Sequence, residues 1–375
     1  MDLFVTCAQT LEPLVAQELA QLGYPQAVTG FRGVNVRNID IEAIYRINYL
    51  SRLAGRVLLP LIRFRCADSK SLYNHAGKID WQKYLQPGKS IAIDANVHHP
   101  LLRNSLFAAQ VVKDAICDQL RLKAGWRPDV NIKNPDVQLN LYINNDAAIL
   151  SFDTSIQPLH KRGYRQETVE APMQETLAAA LLTLANFQGT EIVVDPCCGS
   201  GTLLIEAALM ASNTPPGFLR TKWGFMHLPE YSQLSWLAIK NEADSRRKEL
   251  PKRHFFGIDI SKQAVHSAKV NLRAVGLHHA IEVVQGDLRD YDPPIAPNFV
   301  IANPPYGRRL DDIDFLKSLY RALGDFMKRK TAKPAKGFIF TGSLELSKEV
   351  GLAAKRRHVL DNGGIESRLL EFDLY

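Results

Sequence analysis

The sequence contains no apolar run approaching the roughly 18 to 20 residues that a membrane-spanning helix requires, which argues against a helical span. Its opening residues, MDLFVTCAQT, lack a basic stretch followed by an apolar one, so no secretory leader is read there and a cytoplasmic protein is expected. Cysteine is scarce: Cys7, Cys66, Cys117, Cys197 and Cys198 are an odd set with no CxxC spacing and no histidine at ligand distance. That pattern argues against a disulfide framework and against a zinc site, and no metal is expected. The one glycine-rich turn, DPCCGSGT, lacks the Gly-Lys-Ser/Thr of a phosphate-binding loop. It also has Leu204 where the third glycine of a dinucleotide fingerprint would fall.

What is present is ordinary in bulk and specific in detail. The 375 residues suffice for two or three domains, and 46% hydrophobic with 23% charged residues suits a globular chain. A net charge of +7 is compatible with a polyanionic partner without requiring one. Short alternating strand and helix patterns fill the first 157 residues: LFVTC, LEPLVAQELAQLG, GVNVRN and IEAIYRINYLSRLAGR, then a strand in which Arg63 and Arg65 share a face opposite Ile62 and Phe64. KIDWQKYL is read as helix and SIAIDANVH as strand. A long amphipathic helix from Leu101 to Lys123 carries Arg103, Lys113, Arg121 and Lys123, and VQLNLYINN and AAILSFDTS close the block as strands. Such an arginine-bearing module suits either an RNA-facing groove or a solvated polar face.

The basic stretch PLHKRGYR, with Gly163, is read as a linker and the main boundary. Beyond it APMQETLAAALLTL is helical, and EIVVD followed by PCCGSG makes a strand that turns sharply into a helix at Thr202. FFGIDI is an apolar strand ending in Asp259, with Ser261 placed to cap the next helix; Ile281 to Val284 is a third strand, leading to Gly286 and Asp287. An acid after the second strand of such a series is placed to accept hydrogen bonds from ribose hydroxyls, and one after the third to reach an adenine amine. The series ends in FVIANPPYGRR, residues 299–309. A planar exocyclic amine is a poor nucleophile, because its lone pair is delocalised into the ring, and it must be held by acceptors. The Asn303 side-chain oxygen and the Pro304 carbonyl supply two, in a turn stiffened by two prolines, and Tyr306 offers a face on which a base can stack. The aromatics of the segment between Ala211 and His254 (Phe218, Trp223, Phe225, Trp236) are expected to cover the cofactor, meet RNA or pack as a structural lid, and the chain closes with a hairpin turning at Asn362-Gly363-Gly364.

DPCCGSGT, GIDIS, GD and NPPYG resemble the motifs of class I S-adenosylmethionine-dependent methyltransferases that modify exocyclic amines of bases. The Cys-Gly-Ser-Gly variant, the APMQETLAAALL helix, HKRGYR, and IRF and RNSLFAAQVVKDAI nearer the N-terminus are similar to the THUMP-domain RNA guanine-N2 methyltransferases, among them the bacterial enzymes that act on 23S ribosomal RNA. The resemblance implies a seven-stranded, Rossmann-like α/β methyltransferase domain preceded by an α+β ferredoxin-like/THUMP RNA-binding module. It divides the chain into 1–55, 56–157, a linker at 158–170 and a methyltransferase domain at 171–375, with Tyr375 ending a single-headed form. It implies S-adenosylmethionine as cofactor, bound by Asp195, Gly199, Gly201 and Thr202 at its methionine end, with Thr176 approaching the carboxylate. Asp259 with Ile260 would bind the ribose and Asp287 with Leu288 the adenine end; Asn303 would border both cofactor and base; and Asn303, Pro304 and Tyr306 would act on the base. The implied partner is 23S ribosomal RNA, free or in an assembling large subunit, with no membrane and no metal. Guanine-N2 methylation of tRNA, adenine-N6 methylation of nucleic acid, and a non-catalytic RNA-binding assembly factor remain open alternatives.

Overall fold

A computed structural model describes residues 1–168, 172–306 and 313–375. Val169, Glu170 and Ala171, at the junction of the expected linker and C-terminal domain, and Gly307, Arg308 and Arg309 of the NPPY stretch lie outside the described residues. The chain forms two compact units: residues 1–7, 15–159 and 220–241 make one, and 8–14, 160–219 and 242–375 the other.

The first unit is an α+β structure on one mixed eight-stranded sheet. In chain order its strands are β1 (Leu3–Thr6), β2 (Val28–Gly30), β3 (Gly33–Val36), β4 (Arg56–Arg65), β5 (Ser90–His98), β6 (Asp129–Val130), β7 (Val137–Asn144) and β8 (Ala147–Asp153). Their order in the sheet is β2-β3-β1-β4-β8-β7-β5-β6. Arg56 to Leu58 of β4 pair with β1 and Leu58 to Arg65 with β8, so the sheet continues across the boundary expected at residues 55 and 56. Its helices are α1 (Glu12–Gln21), which begins in the segment counted with the second unit, α2 (Ile41–Leu50), α3 (Ser69–Ala76) and α4 (Ser105–Ala124). Local chemistry sets their ends. Asp40 caps α2 by accepting from the Ala43 N–H at 2.9 Å, and Asn104 caps α4 while Gly125, at φ 75°, lets its chain leave in a left-handed turn. KIDWQKYL, expected as helix, keeps only one 3₁₀ turn at Trp81–Lys83; the neighbouring helix is α3 instead. Of the arginines expected to share a face, Arg63 and Arg65 are both exposed on β4, and Arg65 is ion-paired with Asp146.

Residues 220–241 belong to this unit through an aromatic cluster. Phe225 stands 4.9 Å from Tyr45 and 5.1 Å from Trp236, and Trp236 stands 5.2 Å from Tyr49, all ring centre to ring centre. The Tyr45 hydroxyl accepts from the Ser232 N–H at 2.9 Å, and a side chain at Gly224 would strike the Asp153 carbonyl at 2.1 Å. Trp223, Phe225 and Trp236 therefore pack against α2 as core, not over a cofactor or on a face that meets RNA. Phe218, in the second unit, lies under the Arg247 guanidinium at 5.2 Å.

The second unit holds a seven-stranded sheet built from β9 (Val193–Asp195), β10 (Phe255–Asp259), β11 (Ile281–Gln285), β12 (Phe299–Ala302), β13 (Ala335–Thr341), β14 (Arg356–Asn362) and β15 (Ile365–Leu374), in the order β11-β10-β9-β12-β13-β15-β14. The first five run parallel and β15 is antiparallel to both its neighbours. Its helices are α5 (Glu175–Leu184), α6 (Thr202–Ala211), α8 (Lys262–Val275), α9 (Ile313–Arg329) and α10 (Leu344–Glu349), while α7 (Gln233–Ser245) passes from the first unit into the second. Sequence reading gave α9 no element, although its buried stripe of Leu316, Tyr320, Leu323 and Met327 has helical spacing. Strand order reverses between β9 and β12. In a doubly wound sheet the crevice outside the carboxyl ends of the strands at such a point is where ligands bind.

Candidate active site

At that switch point β9 ends on Asp195 and the chain turns through Pro196 to Gly201 into α6. Four backbone N–H groups of the turn are engaged. The Cys197 N–H donates to Asp195 Oδ1 at 3.0 Å and the Gly199 N–H to Asp259 Oδ2 at 2.9 Å. The Cys198 N–H donates to the Ile258 carbonyl at 3.0 Å and the Gly201 N–H to the Cys198 carbonyl at 2.8 Å. Gly199 and Gly201 take φ of 53° and 82°, a region that side chains disfavour, and a Cβ on Gly199 would project into open space. Gly257 in β10 is required for a different reason: a Cβ there would stand 2.6 Å from Leu204 Cδ1 and 3.1 Å from Cys198 Sγ, so the turn rests on a bare strand.

Two adjoining cavities open over these strand ends. The larger, about 470 Å³, is lined among others by Asp195, Gly199, Thr202, Asp259, Asn303, Pro304 and Tyr306. The smaller, about 220 Å³, takes in Ile260, Asp287, Leu288 and Arg289, with Phe315 and Leu319 from α9. Cys197, Asp259 and Pro305 border both, so together they form an elongated groove. Ten of the expected site residues are thus gathered at one place. Two are not: Gly201 borders neither cavity and acts as the N-cap position of α6, and Thr176, buried in the first turn of α5, leaves the lining to Met173 and Leu177 on either side of it.

The acids differ in state and in partners. Asp195 is 1% exposed, and burial pushes its carboxyl up from 3.8 to about 8, with nearby Asp259 adding to the rise and the Cys197 N–H opposing it. Asp259 already accepts from the Gly199 N–H and from the Ser261 N–H at 2.9 Å, which leaves one further acceptor position on each oxygen. Asp287 accepts from the Arg289 N–H at 2.9 Å and is ion-paired with that side chain, whose other arm reaches Ser318 at 3.0 Å. Burial and the three aspartates push the Cys197 thiol well above its ordinary value, which makes it a packing group and not a nucleophile.

At the other end, Asn303 follows β12, and its side-chain oxygen is shielded from solvent with no hydrogen-bond partner among the described residues. A shielded amide oxygen left so costs about 1 to 3 kcal/mol, so an unmet acceptor here marks a place for a ligand's N–H. The Tyr306 ring lies against Gly342, edge-on to Phe340 at 6.3 Å. Its hydroxyl, to which the sequence reading gave no role, accepts from Asn362 Nδ2 at 2.9 Å. Asn362 and Ile365, from the β14–β15 hairpin, line the same cavity.

Arg165 is a further residue missed at first. It donates to Glu175 Oε1 at 3.0 Å, the Met173 carbonyl at 2.8 Å, Ser200 Oγ at 3.1 Å and Thr202 Oγ1 at 3.0 Å, and so ties the entry of α5 to the turn before α6. Arg162 and Tyr164 are buried beside Glu206, whose Oε1 accepts from the Tyr164 hydroxyl at 2.9 Å. The stretch read from its charges as a linker is therefore in part a packed component of the second unit. No signal but the arginine–glutamate complementarity of 162 and 206, or 165 and 175, could have shown it.

An elongated groove with a glycine turn at one strand end, an acid at each of the next two and an unmet amide acceptor at the fourth fits a ligand that is amino acid at one end and adenosine at the other. That arrangement on this sheet order defines an S-adenosylmethionine-dependent methyltransferase. Domain comparison agrees: an RMKL-like methyltransferase domain matches residues 162–371, a THUMP domain residues 66–153 and an RlmL ferredoxin-like domain residues 2–58. The chain belongs to the family of THUMP-containing, RMKL-like methyltransferases. It is 37% identical over 383 residues to the ribosomal RNA large subunit methyltransferase K/L of Syntrophotalea carbinolica, covering 99% of this chain and 53% of that one. A Synechocystis protein whose name assigns it provisionally to the RNA methyltransferases is 35% identical, over 99% of this chain and 96% of its own. A crystal structure described provisionally as a methyltransferase (SMU.472), complexed with SAH, superposes with a TM-score of 0.86 at 29% identity, over 100% of this chain and 98% of that one. The chain spans about half the length of the K/L relatives it matches. Among the described residues no group of three or more His, Cys, Asp or Glu is placed to hold a metal, and no helix is long and apolar enough to cross a membrane.

Proposed function

We propose that the protein transfers a methyl group from S-adenosylmethionine to the exocyclic N2 amine of a guanine in 23S ribosomal RNA. The observation that carries this reading is the shielded, unpartnered oxygen of Asn303 in a cavity that also takes in Asp195 and Asp259. The names of the K/L relatives support ribosomal RNA as the substrate. When bound, S-adenosylmethionine would supply its sulfonium methyl group to the amine nitrogen, leaving SAH, and the proton displaced from the amine would pass to water.

The chain's own residues bind and orient. Asp195, Gly199 and Thr202 border the methionine end, with Gly201 holding the turn that presents them; Thr176 is given no direct contact. Asp259 accepts from ribose hydroxyls beside Ile260, and Asp287 from the adenine amine beside Leu288. Asn303 Oδ1 and the Pro304 carbonyl accept the two hydrogens of the target amine. This keeps its lone pair out of the ring plane's conjugation as charge develops on nitrogen. Tyr306 stacks on a base that has left its helix, since a paired amine is not accessible. Residues 1–55 and 56–157 are assigned to RNA docking through phosphate contacts that hold without reading much sequence, and 171–375 to catalysis.

The test is direct. Unmodified 23S ribosomal RNA, free and in precursor large subunits, is incubated with the protein and methyl-labelled S-adenosylmethionine, then digested to nucleosides. Label in N2-methylguanosine is expected. Label in N6-methyladenosine, label only when tRNA is offered, or cofactor binding without transfer to any RNA would each overturn the reading.

A further inference from the structure

The hairpin joining β14 to β15 brings a second amide to the substrate end of the larger cavity. Its tip is held in one shape: Gly363 and Gly364 take φ of 64° and 87°, and the Gly364 N–H donates to Asp361 Oδ1 at 3.1 Å. The Asp361 N–H is itself taken up by Thr10 Oγ1 at 3.1 Å. Asn362 therefore stands at a fixed place in the cavity lining that also includes Asn303 and Tyr306. Its two polar atoms have different fates. Nδ2 donates to the Tyr306 hydroxyl at 2.9 Å, while Oδ1 has no hydrogen-bond partner among the described residues and, on a half-buried residue, is open to water or a ligand.

The chemistry of the base makes that free acceptor informative. Asn303 Oδ1 and the Pro304 carbonyl suit an exocyclic amine on any purine, because guanine N2 and adenine N6 carry the same two hydrogens. What differs is the neighbouring ring nitrogen. Beside its amine guanine has N1–H, a donor, whereas adenine has a lone pair. A third acceptor lining the same cavity as the first two can complete a row for guanine and oppose adenine. We propose that Asn362 is a positioning and specificity residue. Its amide N–H fixes the Tyr306 ring, and its amide oxygen accepts the ring N–H beside the target amine, selecting guanine over purines with a lone pair at that position. The inference rests on the guanine-N2 reading and deepens it.

The experiment uses the full chain and an unmodified RNA fragment carrying the guanine that takes the label in the test above, alongside the same fragment with 2-aminopurine at that position. 2-Aminopurine keeps the exocyclic amine at C2 and replaces N1–H by a lone pair. The unaltered protein should prefer guanine by about 10- to 100-fold in kcat/KM, the factor that accompanies a polar group left unpaired once a bound base has displaced its water. Asn362→Ala should bring the guanine rate down to within a few-fold of the 2-aminopurine rate. Asn362→Asp, which keeps an acceptor, should retain the preference. Should the alanine variant fail to fold, Tyr306→Phe serves in its place: it loses the Asn362 contact but leaves the acceptor, so both rates should fall together with the preference intact. Equal rates on the two fragments by the unaltered protein would overturn the inference, as would an Asn362→Ala protein that loses both rates in proportion, or a preference lost in Tyr306→Phe. Guanine labelled without preference would sink this inference alone. No label on guanine in any fragment would sink the guanine-N2 reading beneath it.

Discussion

Gly342, which follows β13 directly and itself lines neither cavity, offers a way to move the substrate tyrosine. A methyl group added there would stand 2.7 Å from Tyr306 Cε2, 2.9 Å from Cδ2 and 3.1 Å from Ile365 Cγ2. Carbon atoms rest comfortably at about 3.5 to 4.0 Å, so the ring must retreat by roughly 1 Å. It cannot simply turn in place, because its hydroxyl is held by Asn362 at 2.9 Å and its edge faces Phe340. Overpacking of this kind costs about 1 to 3 kcal/mol, and the lost hydrogen bond about 0.5 to 1.5 kcal/mol more. Tyr306 is only half-buried, so part of the strain is relieved by swinging outward, and the cost then falls on base engagement and not on folding. Gly342→Ala should lower kcat/KM for RNA by about 10- to 100-fold, equivalent to about 1.4 to 2.8 kcal/mol, while S-adenosylmethionine affinity stays within about twofold. Single-turnover methylation and calorimetric titration of the cofactor separate the two effects. Undiminished RNA turnover, or a parallel loss of cofactor affinity, would refute the assignment of Tyr306 to the substrate end.

The acids of the groove give two further expectations. Asp259→Ala removes the acceptor for the Gly199 N–H as well as the one assigned to ribose, so S-adenosylmethionine should bind about 1.5 to 3 kcal/mol more weakly by calorimetry; unchanged affinity would remove Asp259 from the site. Asp195 has a folded-state value raised from 3.8 to about 8, so its contribution to the stability of the cofactor-free protein is complete below about pH 4 and is lost as pH rises through about 8. Asp195→Asn keeps the acceptor for the Cys197 N–H but cannot ionise, so without cofactor it should melt higher than the unaltered protein at pH 8 and show the flatter profile between pH 5 and 8. Parallel melting profiles would show that Asp195 is not held against ionisation.

The methyltransferase half was legible because buried parallel strands announce themselves. VVD, FFGID and FVIA are short apolar runs, each closed by an acid or an amide at the end where ligands gather, and the alternation with helices fixes their parallel pairing. What the residues could not give were partnerships set by tertiary register. The Asn-Gly-Gly turn was readable as a hairpin, but its place over the cavity follows from β15 lying antiparallel on β13, which no local pattern specifies. The aromatics after Ala211 were visible as a cluster, yet their partners Tyr45 and Tyr49 lie far earlier in the chain. Arg165 was counted as linker charge because charge argues for solvent until a buried acid such as Glu175, itself hidden in an apolar helix, is found beside it. Thr176, named from the resemblance, lies buried in the first turn of α5 and borders neither cavity, while Met173 and Leu177 line the larger one.

The central claim is that the Asn303 oxygen holds the reacting amine. The measurement that bears on it most directly is the single-turnover methylation rate of Asn303→Ala at saturating cofactor and RNA, set beside the cofactor affinity of the same variant. Loss of a fixed hydrogen bond that strengthens as charge develops lowers such rates by about 10²- to 10³-fold. A fall of that size is expected, with S-adenosylmethionine binding changed by no more than about threefold. A variant that methylates RNA at the normal rate would contradict it.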